Sequence, residues 1–188
     1  MRTDSLEIEH KYLVSEEFDV DTFADALRRL GATGPHCVEV RDSYFYREDL
    51  PDAVFRHRID AELHQLTVKS RPTDSEVRRE VNLDLAGPDA VLQVAAFLET
   101  GWGTCMSLLL QKSVTVWELP GFEVVHYVAT RPDGYTVRCV EFEATGSDSP
   151  PDAVEALNAL GRACGFDPAM RTEQSLFTLM QQPDGPSR

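Results

Sequence analysis

Carboxylates and cations recur at alternate positions in several short stretches of this chain. Glu7, Glu9 and Lys11 alternate with Leu6, Ile8, His10 and Tyr12, and Arg56 and Arg58 alternate with Phe55 and Ile59. Thr67, Lys69 and Arg71 oppose Leu66 and Val68, while Arg78, Glu80 and Asn82 oppose Val77, Val81 and Leu83. Glu141 and Glu143 oppose Val140 and Phe142, and Lys112 adds one more base. Period-two alternation puts each set on one face of a strand. On a flat sheet that face is solvated and has no further role. In a closed barrel it turns inward, where like charges must be neutralised by a ligand or by one another. Two unit charges about 5 Å apart interact by roughly 3 kcal/mol at an effective dielectric near 20. Rows of Lys and Arg therefore call for a polyanion, and clustered carboxylates call for a hard divalent cation such as Mg²⁺ or Mn²⁺. A metal-bound polyphosphate meets both demands.

The elements that must carry these residues are mostly strands. Alternation and turn signals predict strands over Leu6–Val14, Val38–Tyr46, Ala53–Asp60, Gln65–Arg71, Val77–Leu85, Met106–Trp117, Phe122–Ala129 and Thr136–Thr145. Four segments carry helical signals. Phe23, Leu27 and Leu30 share a face that ends at Gly31, and Val91, Val94, Ala95 and Leu98 follow Pro88 and end near Gly101. Ser149-Pro150-Pro151 opens a third helix with Ala153, Leu157, Leu160 and Cys164, and a short last helix is expected from Thr172 with Leu176, Leu179 and Met180. The pattern predicts an α+β fold around a large sheet or barrel, as one domain over 1–181 with a flexible tail over 182–188.

Composition sets the outer bounds. A chain of 188 residues with 42% hydrophobic and 27% charged residues is ordinary for a globular protein. Its formal net charge of -14 repels nucleic-acid phosphates and anionic membranes, so general nucleic-acid binding is not expected. No apolar run approaches the roughly 20 residues that span a bilayer. The opening MRTDSLEIEHK lacks the pattern of a secretory signal. Cys37, Cys105, Cys139 and Cys164 are scattered, which fits a cytoplasmic protein with reduced thiols better than a disulfide framework or structural zinc. There is no P-loop, dinucleotide fingerprint, nucleophile elbow or H-E-x-x-H motif, and the five histidines show no metal-ligand spacing.

In order along the chain, Glu7-Ile8-Glu9-His10-Lys11, Asp42-Ser43-Tyr44-Phe45, Arg56-His57-Arg58 and Leu66-Thr67-Val68-Lys69 resemble the signature of the CYTH superfamily, the triphosphate tunnel metalloenzymes. Arg78-x-Glu80, Lys112, Glu141-Phe142-Glu143 and Gln174-Ser175-Leu176, which is similar to a closing Lys-Ser-Tyr, continue the series over nearly the whole chain. The resemblance implies an eight-stranded antiparallel β-barrel forming a tunnel, with flanking helices. The activities it implies are hydrolysis of inorganic, thiamine or RNA 5′-triphosphates, or class IV adenylate cyclase chemistry. By position, Glu7, Glu9, Glu80, Glu141 and Glu143 would hold Mg²⁺ or Mn²⁺. Lys11, Arg56, Arg58, Lys69, Arg78 and Lys112 would grip phosphate oxygens, with Glu9, Lys11 and Arg58 nearest the chemistry. Tyr44 and Phe45 are expected in the core or at the rim, and His10 and His57 facing away from the site.

Four positions depart from the family pattern. Asn82 stands where many members carry another Glu, Val114 where a Lys-x-Arg pair would place an Arg, His126 near an often acidic position, and Gln174 in place of the closing Lys. Losing the Glu weakens a second metal site more than the first, and losing the Arg weakens charge stabilisation of the reacting phosphates. The expected function is metal-dependent hydrolysis of a small triphosphate by a monomer or homodimer. Conversion of ATP to cyclic AMP and non-catalytic binding of a nucleotide or polyphosphate are the alternatives.

Overall fold

The computed structural model describes residues 4–47, 49, 54–69, 77–87, 90–145 and 149–181, without the side chains of 4–7, 69, 77–79, 91 and 105. Eight strands follow one another as β1 (Asp4–Leu13), β2 (Thr33–Tyr46), β3 (Val54–Ile59), β4 (His64–Lys69), β5 (Val77–Asp84), β6 (Cys105–Leu119), β7 (Phe122–Thr130) and β8 (Thr136–Ala144). Four helices, α1 (Val20–Arg29), α2 (Ala90–Trp102), α3 (Pro150–Ala163) and α4 (Leu176–Met180), lie between and after them. The strands close into an antiparallel barrel in the order β1-β5-β4-β3-β2-β6-β7-β8. β1 seals it by changing partner along its length. Residues Asp4 to Ile8 pair with β5, and Glu9 to Leu13 pair with β8.

Two apolar clusters show which face of each strand is inside. Ile8, Tyr12, Trp117, Val124, Val140 and Phe142 pack with Phe23 and Leu27 of α1 and Leu157 of α3, on the outer wall. On the opposite face of these strands, Leu108, Leu110, Tyr127, Ala129, Val137 and Cys139 pack with Tyr44 and with Leu176, Phe177, Leu179 and Met180 of α4. That second cluster fills part of the bore, so α4 is a plug. α2 covers another part of the outer wall, with Val94 and Leu98 packed against Phe45 of β2. Tyr44 and Phe45 therefore go to opposite faces, both buried, as expected of core residues.

Local chemistry explains the helix starts. Asp19 caps α1 by accepting from the Thr22 N–H at 2.9 Å, and α3 opens on Ser149 with proline in its first turn. Gly161 lets α3 lie close to β1, since a Cβ there would stand 3.3 Å from the Tyr12 hydroxyl. Among the described residues no helix is long and apolar enough to cross a membrane.

Two boundaries lie furthest from the sequence pattern. β2 begins at Thr33 instead of Val38, because β6 extends to Leu119 and supplies a partner for the earlier residues across a register shift between Thr33 and His36. Gly34 is required there: its φ is +102°, and a Cβ would stand 2.9 Å from the Val116 carbonyl. The last helix starts at Leu176 instead of Thr172. Ser175 is its cap, accepting from the Thr178 N–H at 3.1 Å, while the Thr172 N–H donates to the Lys11 carbonyl at 2.9 Å along the β1 edge that β5 leaves open. The expected strand end at Arg71 and the tail 182–188 lie outside the described residues.

Candidate active site in the barrel bore

The bore carries three polar groups of side chains, each built across neighbouring strands. The first lies on β1, β7 and β8. Glu9 stands opposite Glu143, and Glu143 opposite Glu123, so three carboxylates occupy one rung of the barrel. One rung along, Lys11 lies opposite Glu141. The Lys11 ammonium sits 3.2 Å from Glu9 Oε1 and 3.1 Å from Glu141 Oε1, and the Tyr127 hydroxyl donates to Glu141 Oε1 at 2.8 Å. Burial, and then the charges of Glu118 and Glu141, push the Glu123 carboxyl up, with Arg58 opposing the shift.

The second group joins β2, β3 and β6. Asp42 has no exposed surface. Arg58 donates to it twice, from Nε to Oδ1 at 2.8 Å and from Nη2 to Oδ2 at 2.9 Å, and Lys112 Nζ lies 3.1 Å from the same Oδ2. Burial alone would push the Asp42 carboxyl up, but Lys112 and then Arg58 hold it far below the usual carboxylate range. Burial pushes the Lys112 ammonium down to about 8, with Asp42 opposing that shift. The face of the Tyr127 ring, 4.9 Å from Lys112 Nζ, gives the ammonium a second contact.

The third group joins β3, β4 and β5. Arg56 Nη2 donates to Thr67 Oγ1 at 3.2 Å and lies 3.9 Å from Glu80 Oε1. Thr67 Oγ1 is 2.6 Å from Asn82 Oδ1, and Asn82 Nδ2 donates to Glu80 Oε1 at 2.7 Å. Arg56 Nε is buried without a hydrogen bond among the described residues.

The bore thus brings together Glu9, Lys11, Arg56, Arg58, Glu80, Lys112, Glu141 and Glu143 of the expected set. It divides them, however. Glu80 is tied to Asn82 and Arg56, whereas Glu9, Glu141 and Glu143 stand on β1 and β8. The side chains of Glu7, Lys69 and Arg78 lie outside the described residues; in the backbone register Glu7 lies opposite Arg78, and Lys69 opposite Glu80. Val114 pairs with Tyr127 across β6 and β7, on the rung next to Lys112. His10 and His57 are buried outside the bore, His10 against Arg171 and His57 against His64. Asp42, Thr67, Glu123 and Tyr127 belong to the site although the sequence pattern gave them no role. Parity alone could have found Glu123 and Tyr127, which share the inward face of β7.

For a divalent cation the donor chemistry fits. Glu9, Glu141 and Glu143 are hard oxygen donors on adjacent strands, and Lys11 already stands between two of them as a cation. The donors are not preassembled: among the described residues, no three acidic, imidazole or thiol groups converge closely enough to hold a metal ion.

A model of the CYTH domain matches residues 5–174. The chain belongs to the CYTH family. Solved structures agree on the fold. A proposed adenylate cyclase from Vibrio parahaemolyticus is 16% identical, with 95% of this chain and 99% of that one covered at a TM-score of 0.71. The PH1012 protein from Pyrococcus horikoshii OT3 is 17% identical, covering 90% and 96% at 0.70. A proposed adenylate cyclase from Bacillus halodurans is 19% identical, covering 88% and 93% at 0.64. No curated protein matches the sequence. The similarity to these solved structures is one of fold, the closed antiparallel barrel described above.

Proposed function

We propose that this CYTH protein hydrolyses a small triphosphate, inorganic or organic, inside its bore with the help of Mg²⁺ or Mn²⁺. The observation that carries the reading is the convergence of Lys11, Arg56, Arg58 and Lys112 with Glu9, Glu141 and Glu143 inside one closed barrel. Carboxylates of β1 and β8, with Glu7 added by family position, would hold the cation. When bound, it would neutralise charge on phosphate oxygens.

The chain's own residues do the rest. Arg56 and Arg58 occupy successive inward positions of β3, about 6.6 Å apart along a strand, so their guanidiniums reach different phosphates of one chain. Lys69 and Arg78 extend this grip by family position. Lys11 brings positive charge to the acidic wall, where the reacting phosphate meets Glu9 and Glu141. A carboxylate of that wall orients the attacking water and takes its proton. Phosphoryl transfer depends mostly on positioning and electrostatics, so no side-chain nucleophile is required. The thiol in the bore is unsuited to that role: burial, and then Glu141, pushes Cys139 up to about 12.

Resolving the products from tripolyphosphate, ATP and thiamine triphosphate with Mg²⁺ and with Mn²⁺ tests the reading. Orthophosphate release supports it. Cyclic AMP with pyrophosphate from ATP would instead make the protein a cyclase, and metal-assisted binding without turnover would make it a sensor.

A further inference from the structure

We propose that Asp42 is a positioning residue that holds Arg58 and Lys112 as a single two-cation clamp for phosphate oxygens. The inference rests on the triphosphate reading. Asp42 is fully enclosed, so it touches no substrate itself. Both its oxygens are committed, to the Arg58 fork at 2.8 and 2.9 Å and to Lys112 at 3.1 Å. One negative charge faces two positive ones, and the cluster keeps a net positive charge. In a structural buried pair one cation already balances the carboxylate, and a second enclosed cation adds a desolvation cost of several kcal/mol against its attraction. A bound anion supplies the missing charge.

The exposures point the same way. The Asp42 side chain is 0% exposed, that of Lys112 7% and that of Arg58 21%, so Arg58 is the member of the cluster that reaches the open bore. Arg58 approaches Asp42 through Nε and Nη2, which leaves Nη1 outside the bidentate contact. Lys112 is fixed from two directions, by Asp42 and by the Tyr127 ring. Arg56, one inward position away on β3, is held by different partners, Thr67 and Glu80. The two arginines of the Arg-x-Arg pair are thus oriented independently.

The clamp has a pH signature. The groups that face Lys112 are Asp42 from β2, Arg58 and Arg56 from β3, Tyr127 from β7 and Glu141 from β8. Asp42 is the carboxylate in contact with Lys112, and its charge keeps the ammonium protonated against burial and both arginines. Removing that charge moves the loss of the Lys112 proton to lower pH.

The test compares wild type with Asp42→Asn, using tripolyphosphate and Mg²⁺ and the full chain. The clamp predicts a fall in kcat/KM of about 10- to 100-fold, as expected for misplaced binding groups. It also predicts that the alkaline limb of the kcat/KM profile moves down by about one pH unit. A lower Tm with kcat/KM and the alkaline limb unchanged would make Asp42 merely structural and overturn the inference. If Asp42→Asn does not fold, the charge-balanced double variant Asp42→Asn with Lys112→Gln is compared with Lys112→Gln alone by calorimetric titration of tripolyphosphate. The clamp predicts at least about tenfold weaker binding by the double variant, since Arg58 loses its anchor. Equal binding overturns it. A wild type that neither binds nor cleaves tripolyphosphate, ATP or thiamine triphosphate removes the triphosphate reading and the clamp with it, whereas an active wild type matched by Asp42→Asn removes the clamp alone.

Discussion

Period-two parity put Glu9 with Lys11, Arg56 with Arg58 and Glu141 with Glu143 on shared strand faces, because side-chain direction in a strand follows from position alone. Their partners were not legible. That Asp42 would serve both Arg58 and Lys112 depends on β2 lying between β3 and β6, which no local pattern specifies. Glu80 shows the same limit: family position made it an expected metal ligand, and its contacts with Asn82 and Arg56 could be seen only in the structure. Histidine parity was also legible, but its consequence needed coordinates. His57 and His64 bring their Nε2 atoms to 2.6 Å on the outside of the barrel. Burial, then His64 and Arg41, lowers the His57 pKa to about 4. With an unfolded value near 6.5, His57 contributes full stability above pH 6.5. Between pH 6.5 and 4 the unfolded chain binds a proton that the folded one does not, and stability falls with pH. Tm measured across that window should drop, and less steeply in His57→Gln. Equal slopes in the two proteins would contradict this assignment.

At the level of elements, the strand pattern and the helical faces were readable because each has its own period. The boundaries that moved did so for tertiary reasons. β2 gained residues from Thr33 onward because β6 was long enough to pair with them, and α4 lost its first turn because Thr172 is used to cover the β1 edge. Nothing in the apolar spacing of α4 indicated that it would enter the bore. Four of its residues, Leu176, Phe177, Leu179 and Met180, are buried there against β2, β6, β7 and β8. A helix this short is held by packing and not by its own hydrogen bonds. Leu179, with 1% exposure, should therefore cost about 2–5 kcal/mol when cut to alanine, as a core leucine does. Urea unfolding of Leu179→Ala checks this, and a loss below about 1 kcal/mol would mean that α4 does not plug the barrel in solution.

For the whole molecule, the net charge of -14 argued against general binding of nucleic acids and anionic membranes, while the bore concentrates cations that the overall count conceals. Closure resolves the conflict, since the acidic outer surface and the mixed interior are different environments. The sequence order of the motifs was sufficient to anticipate this barrel through family resemblance. Composition and periodicity alone stopped at a large sheet or barrel, because closure depends on β1 dividing its pairing between β5 and β8. Within the bore, Glu9, Glu123, Glu141 and Glu143 gather on β1, β7 and β8 around Lys11, and Arg56, Arg58 and Lys112 stand on β3 and β6, which the proposed function reads as a division of labour. The most direct test of that division is orthophosphate release from tripolyphosphate with Mg²⁺ or Mn²⁺, by wild type and by Glu9→Gln shown to be folded. The account predicts metal-dependent release by wild type and a loss of at least about 100-fold in the variant, comparable to removal of a key charge-stabilising group. Undiminished, metal-dependent turnover by folded Glu9→Gln would contradict it.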